Sequence, residues 1–359
     1  MQSALRYSER LYRRILVRAT NWVGDAVMSV PALQALRAGY PDAHIAILAR
    51  PWVGALYARE PFCDELISYE VPPGWAGFGE KWRLARELRA RQFDCAVLFP
   101  NAFGAAALMR LAGIPVIVGY RRDFRAWLMT HAVRRPRRGE LPAHERFYYL
   151  ELLKRAGLIA SYNEDRAIRL SGAAPAAKAG RNRLDGQCLR GAVIGVSPGA
   201  AYGGAKRWLP ERFAEAAVSV AREREASVAV FGSKEEASIC ESVRERVSGA
   251  GVRCMNFAGA TSLAEFIEMA AACELFLTND SGPMHIASAL GVPTIAVFGA
   301  TDESATGPTG EHARVIREFA DCSPCLRREC PIDHRCMTRV SAEVVAQEAL
   351  SLMSPGKKT

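Results

Sequence analysis

The sequence predicts an α/β protein made of two doubly wound domains, each built on a mostly parallel sheet. Three observations carry that prediction. A chain of 359 residues exceeds the size at which one hydrophobic core keeps growing, so two domains of roughly 150–200 residues are expected. Short runs of branched apolar residues alternate with longer segments of helical period, the βαβ rhythm of a parallel sheet. That rhythm starts afresh after residue 190.

In the first series, RRILVRA (13–19), HIAILA (44–49), FDCAVLF (93–99) and PVIVGY (115–120) are apolar at consecutive positions, as strands buried on both faces are. SVPALQALRAGY and GEKWRLARELRARQ lie between them as helices. The next stretch, SGAAPAAKAGRNRLDGQCLRG (171–191), is small, polar and aperiodic, which is the composition of a linker. Beyond it GAVIGVSPG, ASVAVFG, CELFLTND and PTIAVFG read as strands, with PERFAEAAVSVARERE, KEEASICESVRERVSG, SLAEFIEMAAA and PMHIASAL as helices. The expected domains are 1–172 and 192–340, joined by a linker at 173–191 and followed by a helix and tail at 341–359. Ligands of such sheets bind outside the carboxyl ends of the strands, and a cleft between two such domains is the expected place for one.

Composition narrows the function classes. No apolar run reaches the 18 or more residues of a spanning helix, and MQSALRYSERLYRR lacks the apolar middle of a signal peptide, so the chain is expected in the cytoplasm. The formal charge of +9 points to an anionic partner or substrate. Ten cysteines in a chain this long do not imply a disulfide scaffold. Cys63, Cys95, Cys188, Cys240, Cys254 and Cys273 are scattered and are expected as ordinary buried thiols.

Four strand-end loops concentrate the candidate chemistry. Gly24 and Asp25 follow the first strand in RATNWVGDAVMSVPAL. A dinucleotide fingerprint needs G-x-G-x-x-G there, so nicotinamide binding is disfavoured. Asp25 reads either as a helix N-cap or as a general base that takes a proton from a substrate hydroxyl. In NDSGPMHIASALGVPTIAVFG (279–299), Pro283 suits a first helical turn. Ser281 and Gly282 then lie at a helix N-terminus, whose free N–H groups attract phosphate. The alternative is that Asp280 or Ser281 simply caps the helix and His285 fills its first turn. SPGAAYGGAKRWLPERF (197–213) offers glycines for close backbone approach and Lys206 for a phosphate, or else a pair of solvated surface cations. FGSKEEAS (231–238) offers acids for ribose hydroxyls.

Taken together, RATNWVGDAVMSVPALQALR, SPGAAYGGAKRWLPERF, FGS and NDSGPMHIASALGVPTIAVFGATD resemble the heptosyltransferases of glycosyltransferase family 9. The similarity runs in order over nearly the whole chain. It implies a GT-B fold of two Rossmann-like domains and inverting transfer of heptose from ADP-heptose to the lipopolysaccharide inner core, with no cofactor required. By the same resemblance Asp25 is the catalytic base and Lys206 the phosphate-binding lysine. The donor is then expected on Ser197, Gly199, Lys206, Asp280, Ser281, Gly282 and His285, with Glu235 as the nearest acid for the ribose. The acceptor is expected on Asn21, Trp22, Gly24, Arg121 and Arg122. A lipopolysaccharide acceptor places the protein at the cytoplasmic surface of the inner membrane, as a peripheral protein.

Two further segments bear on partners. YRRDFRAWLMTHAVRRPRRGELPAHERF (120–147) interleaves arginines with aromatics but carries no nucleic-acid module. Arg121, Arg122, Arg125 and Arg134 are expected to meet the anionic acceptor or membrane face, or to form a solvated loop. CSPCLRRECPIDHRC groups Cys322, Cys325, Cys330 and Cys336 beside His334. It reads as a structural zinc site or as free thiols, because the second Cys-x-x-Cys pair of the usual zinc signature is absent. Two other readings remain: a sugar-nucleotide epimerase of similar fold, and a basic nucleic-acid-binding protein, which would show steeply salt-dependent polynucleotide binding.

Overall fold

The computed structural model describes residues 12–71, 77–164 and 167–353. The N-terminal leader reading, up to residue 11, and the tail after residue 353 lie outside them. The chain forms two compact units, Met1–Arg166 and Ala167–Thr359. The first contains β1 (Arg14–Arg18), β2 (His44–Ala49), β3 (Glu65–Ser68), β4 (Cys95–Leu98), β5 (Val116–Tyr120) and β6 (His131–Val133). The second contains β7 (Val193–Ser197), β8 (Ser227–Val230), β9 (Cys254–Asn256), β10 (Leu275–Asn279), β11 (Thr294–Phe298) and β12 (Ala313–Arg317).

Among the described residues every strand pairing is parallel, and the sheets run β3-β2-β1-β4-β5-β6 and β12-β11-β10-β7-β8-β9. Counted within its own unit, each sheet follows the doubly wound order 3-2-1-4-5-6. The inner strands are the continuous apolar runs, fully buried along CAVL and VIGVS. β3, β6, β9 and β12 were not legible in the sequence. They are the four edge strands, partly exposed, so no continuous apolar pattern marks them.

Each unit has its own core. Leu16, Leu48, Leu98 and Ile117 are packed with Phe93 and Met109 in the first; Leu277, Val297, Trp208 and Phe213 share the second with the helix Ala342–Met353. That helix, expected as an appendage after residue 340, therefore belongs to the second unit's core. The linker expectation also needs correction. Residues 173–186 form the helix Ala173–Gly186, which packs against the helix Leu263–Ala271. Gly180 lets the two backbones touch, since a Cβ there would lie 1.8 Å from the Glu268 carbonyl oxygen. Arg183 then pairs with Glu265 at 3.0 Å and with Glu268. The small residues that suggested flexibility serve close helix packing, and Pro175 is tolerated because it falls in the first turn.

Candidate functional site

In a 3-2-1-4-5-6 sheet, successive crossovers leave the first and fourth strands in opposite directions and open a crevice at their carboxyl ends. In the second unit that crevice collects the loops after β7 and β10. Lys206 ends a short 3₁₀ turn, Gly204–Lys206, in the first of these loops. Its ammonium donates to Asp280 Oδ2 at 2.5 Å, and the Asp280 side chain is only 4% exposed. Thr301, in the loop after β11, donates to the same oxygen at 2.6 Å. Lys206 also lies 4.9 Å from the Tyr202 ring centroid. Lys206 is thus no solvated surface cation: a buried carboxylate and an aromatic face hold it in place.

Asn279, fully buried, ties these loops together. Its Nδ2 donates to Pro198 O at 2.8 Å, and its Oδ1 accepts from the Trp208 amide at 2.9 Å. Ser197 closes β7 and is buried. Gly199 is needed for close approach, because a Cβ there would stand 2.2 Å from the Glu236 carboxylate. The acid beside the loop after β7 is therefore Glu236, whose Oε2 also accepts from the Ser233 amide at 2.9 Å. Glu235, the acid chosen from the sequence, is exposed. Glu236 folds back onto the turn as its capping acid.

The helix Gly282–Ala289 starts at Ser281, and no side chain hydrogen-bonds to its first amides as a cap. Neither Asp280 nor Ser281 satisfies the helix end: Asp280 binds Lys206 and Thr301, while Ser281 Oγ lies 3.3 Å from Thr278 Oγ1. His285 is buried in the first turn, 7% exposed. Backbone N–H groups at such an end carry positive partial charge and can receive an anion.

The corresponding crevice of the first unit lies at β1 and β4. Asp25 falls in the first turn of the helix Val23–Met28, whose N-cap position is Trp22. The reading of Asp25 as an N-cap is thereby corrected. Its carboxyl pKa is pushed up to about 6, first by burial and then by the nearby charge of Glu145. Asn21 and Trp22 are exposed and Gly24 is half-buried. Asn21 Oδ1 accepts from Arg18 Nη2 at 2.8 Å, and its carbonyl accepts from Trp52 Nε1 at 3.1 Å. Arg18 also donates to the Tyr69 hydroxyl, and the Arg50 guanidinium lies 4.6 Å from the Tyr69 ring centroid. Sequence reasoning missed Arg18, Arg50, Trp52, Tyr69 and Glu145. Arg18, Arg50 and Trp52 lie at or just past the carboxyl ends of β1 and β2, a position that the strand pattern alone marks as ligand-facing, whereas Tyr69 follows β3, which no continuous apolar pattern marks.

The expectation about the arginine-rich segment also changes. Arg121 and Arg122 are exposed, but Arg125 is fully buried and donates to Tyr120 O at 3.2 Å and to Asn101 Oδ1 at 3.1 Å. Arg134 is paired with Glu140 at 2.6 Å. All four clustered cysteines are free thiols, and they range from the exposed Cys322 to the buried Cys336. Among the described residues no group of three or more His, Cys, Asp or Glu is arranged to hold a metal ion, although Cys322, Cys325 and Cys330 lie near enough to Cys336 to raise its thiol pKa, after burial. Of the six scattered cysteines, Cys188 is exposed and Cys63 half-buried, and the others are buried as expected.

The cysteine segment instead braces the Lys206 loop. The Ala205 amide donates to Arg328 O at 2.9 Å, and the Gly204 amide to Glu329 Oε1 at 3.0 Å. His334 Nε2 donates to Ala205 O at 3.0 Å, and the Tyr202 hydroxyl to Leu326 O at 2.9 Å. Gly203 has φ +154°, and a Cβ there would meet Arg328 O at 2.3 Å. The 3₁₀ turn that aims Lys206 is thus clamped on its outer side.

Comparison with known proteins adds independent findings. The model of glycosyltransferase family 9 (heptosyltransferase) matches residues 81–335. The chain is 30% identical over 346 residues to lipopolysaccharide heptosyltransferase 2 of Salmonella typhimurium, spanning 95% of this chain and 99% of that protein. It is 32% identical over 308 residues to lipopolysaccharide heptosyltransferase 2 of Escherichia coli, spanning 85% and 88%. Among solved structures it is similar to E. coli ADP-heptose lipopolysaccharide heptosyltransferase II, with a TM-score of 0.78 and 29% identity across 95% of this chain and 98% of that one.

Proposed function

The chain belongs to glycosyltransferase family 9 and has the GT-B fold, and we propose that it transfers heptose from ADP-heptose to the heptose of the lipopolysaccharide inner core, with inversion. The observation that supports this reading best is in the second unit. An uncapped helix N-terminus at Gly282 directly follows the buried Asp280 that holds Lys206 at 2.5 Å. Such an arrangement suits the diphosphate of a sugar nucleotide.

The residue roles follow from the chemistry. A sugar hydroxyl is a weak nucleophile near neutral pH, so a carboxylate must accept its proton as the new bond forms. Asp25, with its pKa raised to about 6, is ionised at neutral pH and yet a stronger base than an ordinary aspartate. It takes that proton while the acceptor oxygen attacks the anomeric carbon from the face opposite the departing ADP. Negative charge then grows on the diphosphate, where Lys206 and the amides from Gly282 onward stabilise it. Asp280 is assigned a positioning role through Lys206, and Glu236 takes the place of Glu235 beside the nucleoside. Asn21, Trp22, Arg121 and Arg122 remain the acceptor-side residues. Because this acceptor is lipid-linked, the enzyme works at the cytoplasmic face of the inner membrane as a peripheral protein; no described helix is long and apolar enough to span it.

The test incubates purified protein with ADP-heptose and core acceptors carrying zero, one or two heptoses, following ADP release and product mass. Transfer to the one-heptose acceptor alone supports the assignment. ADP release without a heavier acceptor, or transfer only to the heptose-free core, removes it.

A further inference from the structure

The turn after β5 combines features that a merely solvated loop does not need. Phe124 is 95% exposed and Trp127 75% exposed, and Phe103, which opens the helix Phe103–Leu111 after the neighbouring β4, is 47% exposed. The Phe103 and Trp127 ring centroids are 6.2 Å apart, so the segments after β4 and β5 meet at the carboxyl end of the sheet. Asp123 and Phe124 both have left-handed backbone, φ +53° and +52°. An exposed turn position of that kind is ordinarily Gly or Asn, which removes both the strain and the apolar exposure. Phe124 does neither.

The strain is maintained from beneath. The buried Arg125 side chain donates to Tyr120 O, Pro100 O, Ala102 O and Asn101 Oδ1, which locks the turn to the ends of β4 and β5. Leu128 and Met129 continue into the core. A fully buried arginine therefore holds a strained apex that presents an aromatic ring to the outside, and strain kept in this way points to a use. Around the apex the exposed charge is mainly positive: Arg121 and Arg122 on the turn, then Arg134, Arg135, Arg137 and Arg138 after the adjacent β6. Asp123 lies 3.4 Å from Arg122 Nε, and Glu140 pairs with Arg134.

We propose that this turn docks the enzyme on an anionic lipid bilayer, with Phe124 and Trp127 entering the headgroup layer and the arginines lying over lipid phosphates. Aromatic rings favour the membrane–water interface, and clustered arginines are attracted to the negative leaflet surface. The chemistry of both parts, rings and cations, selects this partner over a second copy of a chain that is itself basic. The proposal deepens the reading of the acceptor as lipid-linked and rests on it for its purpose. β5 is two strands from β1 in the sheet, roughly 10 Å at ordinary strand spacing. Docking here would therefore bring the carboxyl end of the sheet, which carries Asp25, close to a membrane-held sugar.

The experiment floats the intact protein with vesicles of phosphatidylcholine alone and of phosphatidylcholine with about one-third phosphatidylglycerol. The parent should bind only the anionic vesicles, and Phe124→Asn with Trp127→Ser should bind them about tenfold less. Asn relieves the left-handed strain at position 124, so the variant should unfold at no lower temperature than the parent. Its transfer to a deacylated, soluble acceptor should be unchanged, while transfer to vesicle-embedded acceptor falls with binding. Failure of the parent to bind anionic vesicles, undiminished binding by the variant, or loss in the variant of a dimer that the parent forms would each overturn the proposal. A parent that binds vesicles but transfers no heptose to soluble acceptor would instead remove the heptosyltransferase reading and leave the docking surface standing.

Discussion

Asp25 owes its raised pKa to burial before charge, and the sign of that shift governs both activity and stability. The native state holds the proton between the ordinary pKa near 4 and the folded value of about 6, so stability falls as pH rises through that window. Replacing the carboxyl by an amide removes the cost. Asp25→Asn should therefore be more stable than the parent above pH 6 by roughly 1–2 kcal/mol after solvent screening, with the gain vanishing below about pH 4. Urea melts at the two pH values measure this. The same variant should lose about 10²–10⁴-fold in kcat while keeping its affinity for ADP-heptose, and parental kcat should drop about tenfold per unit below pH 6. Lys206 offers a second residue-scale test. Lys206→Met leaves Asp280 buried without its cation, which costs about 3–5 kcal/mol. Adding Asp280→Asn should recover much of that stability but none of the donor affinity, a split that a double-mutant cycle resolves.

Among the elements, the helix Ala173–Gly186 shows how composition misleads. Its Ala, Gly and Arg content reads as a linker because no apolar stripe of helical period is present. Yet its buried face needs only Ala176, Gly180 and Leu184, because it meets the helix Leu263–Ala271 almost backbone to backbone. Gly→Ala in an exposed helix ordinarily gains up to about 1 kcal/mol. Here Gly180→Ala forces a Cβ to 1.8 Å from Glu268 O, and a loss of roughly 1–3 kcal/mol or more is expected in chemical denaturation. The edge strands escaped notice for a related reason. ELIS, HAV, CMN and ARVIR are short and covered on fewer sides, so their residues need not be uniformly apolar.

Across the whole molecule, the two units repeat one strand order and divide the candidate residues between them, with the proposed base in the first and the proposed diphosphate cradle in the second. Ligand binding should therefore leave an uneven footprint. In hydrogen exchange, ADP alone should protect amides of 199–206, 232–236 and 281–285, leaving the loop around Asp25 unchanged. At a hundredfold excess over its Kd, ADP should add about 2.7 kcal/mol of stability. Equal protection of both units would argue against a donor site built on Lys206 and Gly282.

By itself the sequence determined the doubly wound class, the inner strands, and the loops that carry Asp25, Lys206 and the Asp280–Gly282 junction. Strands buried on both faces must be continuously apolar, and a parallel sheet puts its ligand loops at their carboxyl ends. Only the tertiary structure decided that Trp22 takes the N-cap position ahead of Asp25, that Asp280 holds Lys206, and that Glu236 rather than Glu235 meets Gly199. It likewise decided that the cysteine segment clamps the Lys206 turn and that Arg125 supports its loop from within. Apart from the local placing of Trp22, each of these is a contact between segments separated in the chain, set by which backbones the sheets bring together, and no local pattern of residues records it.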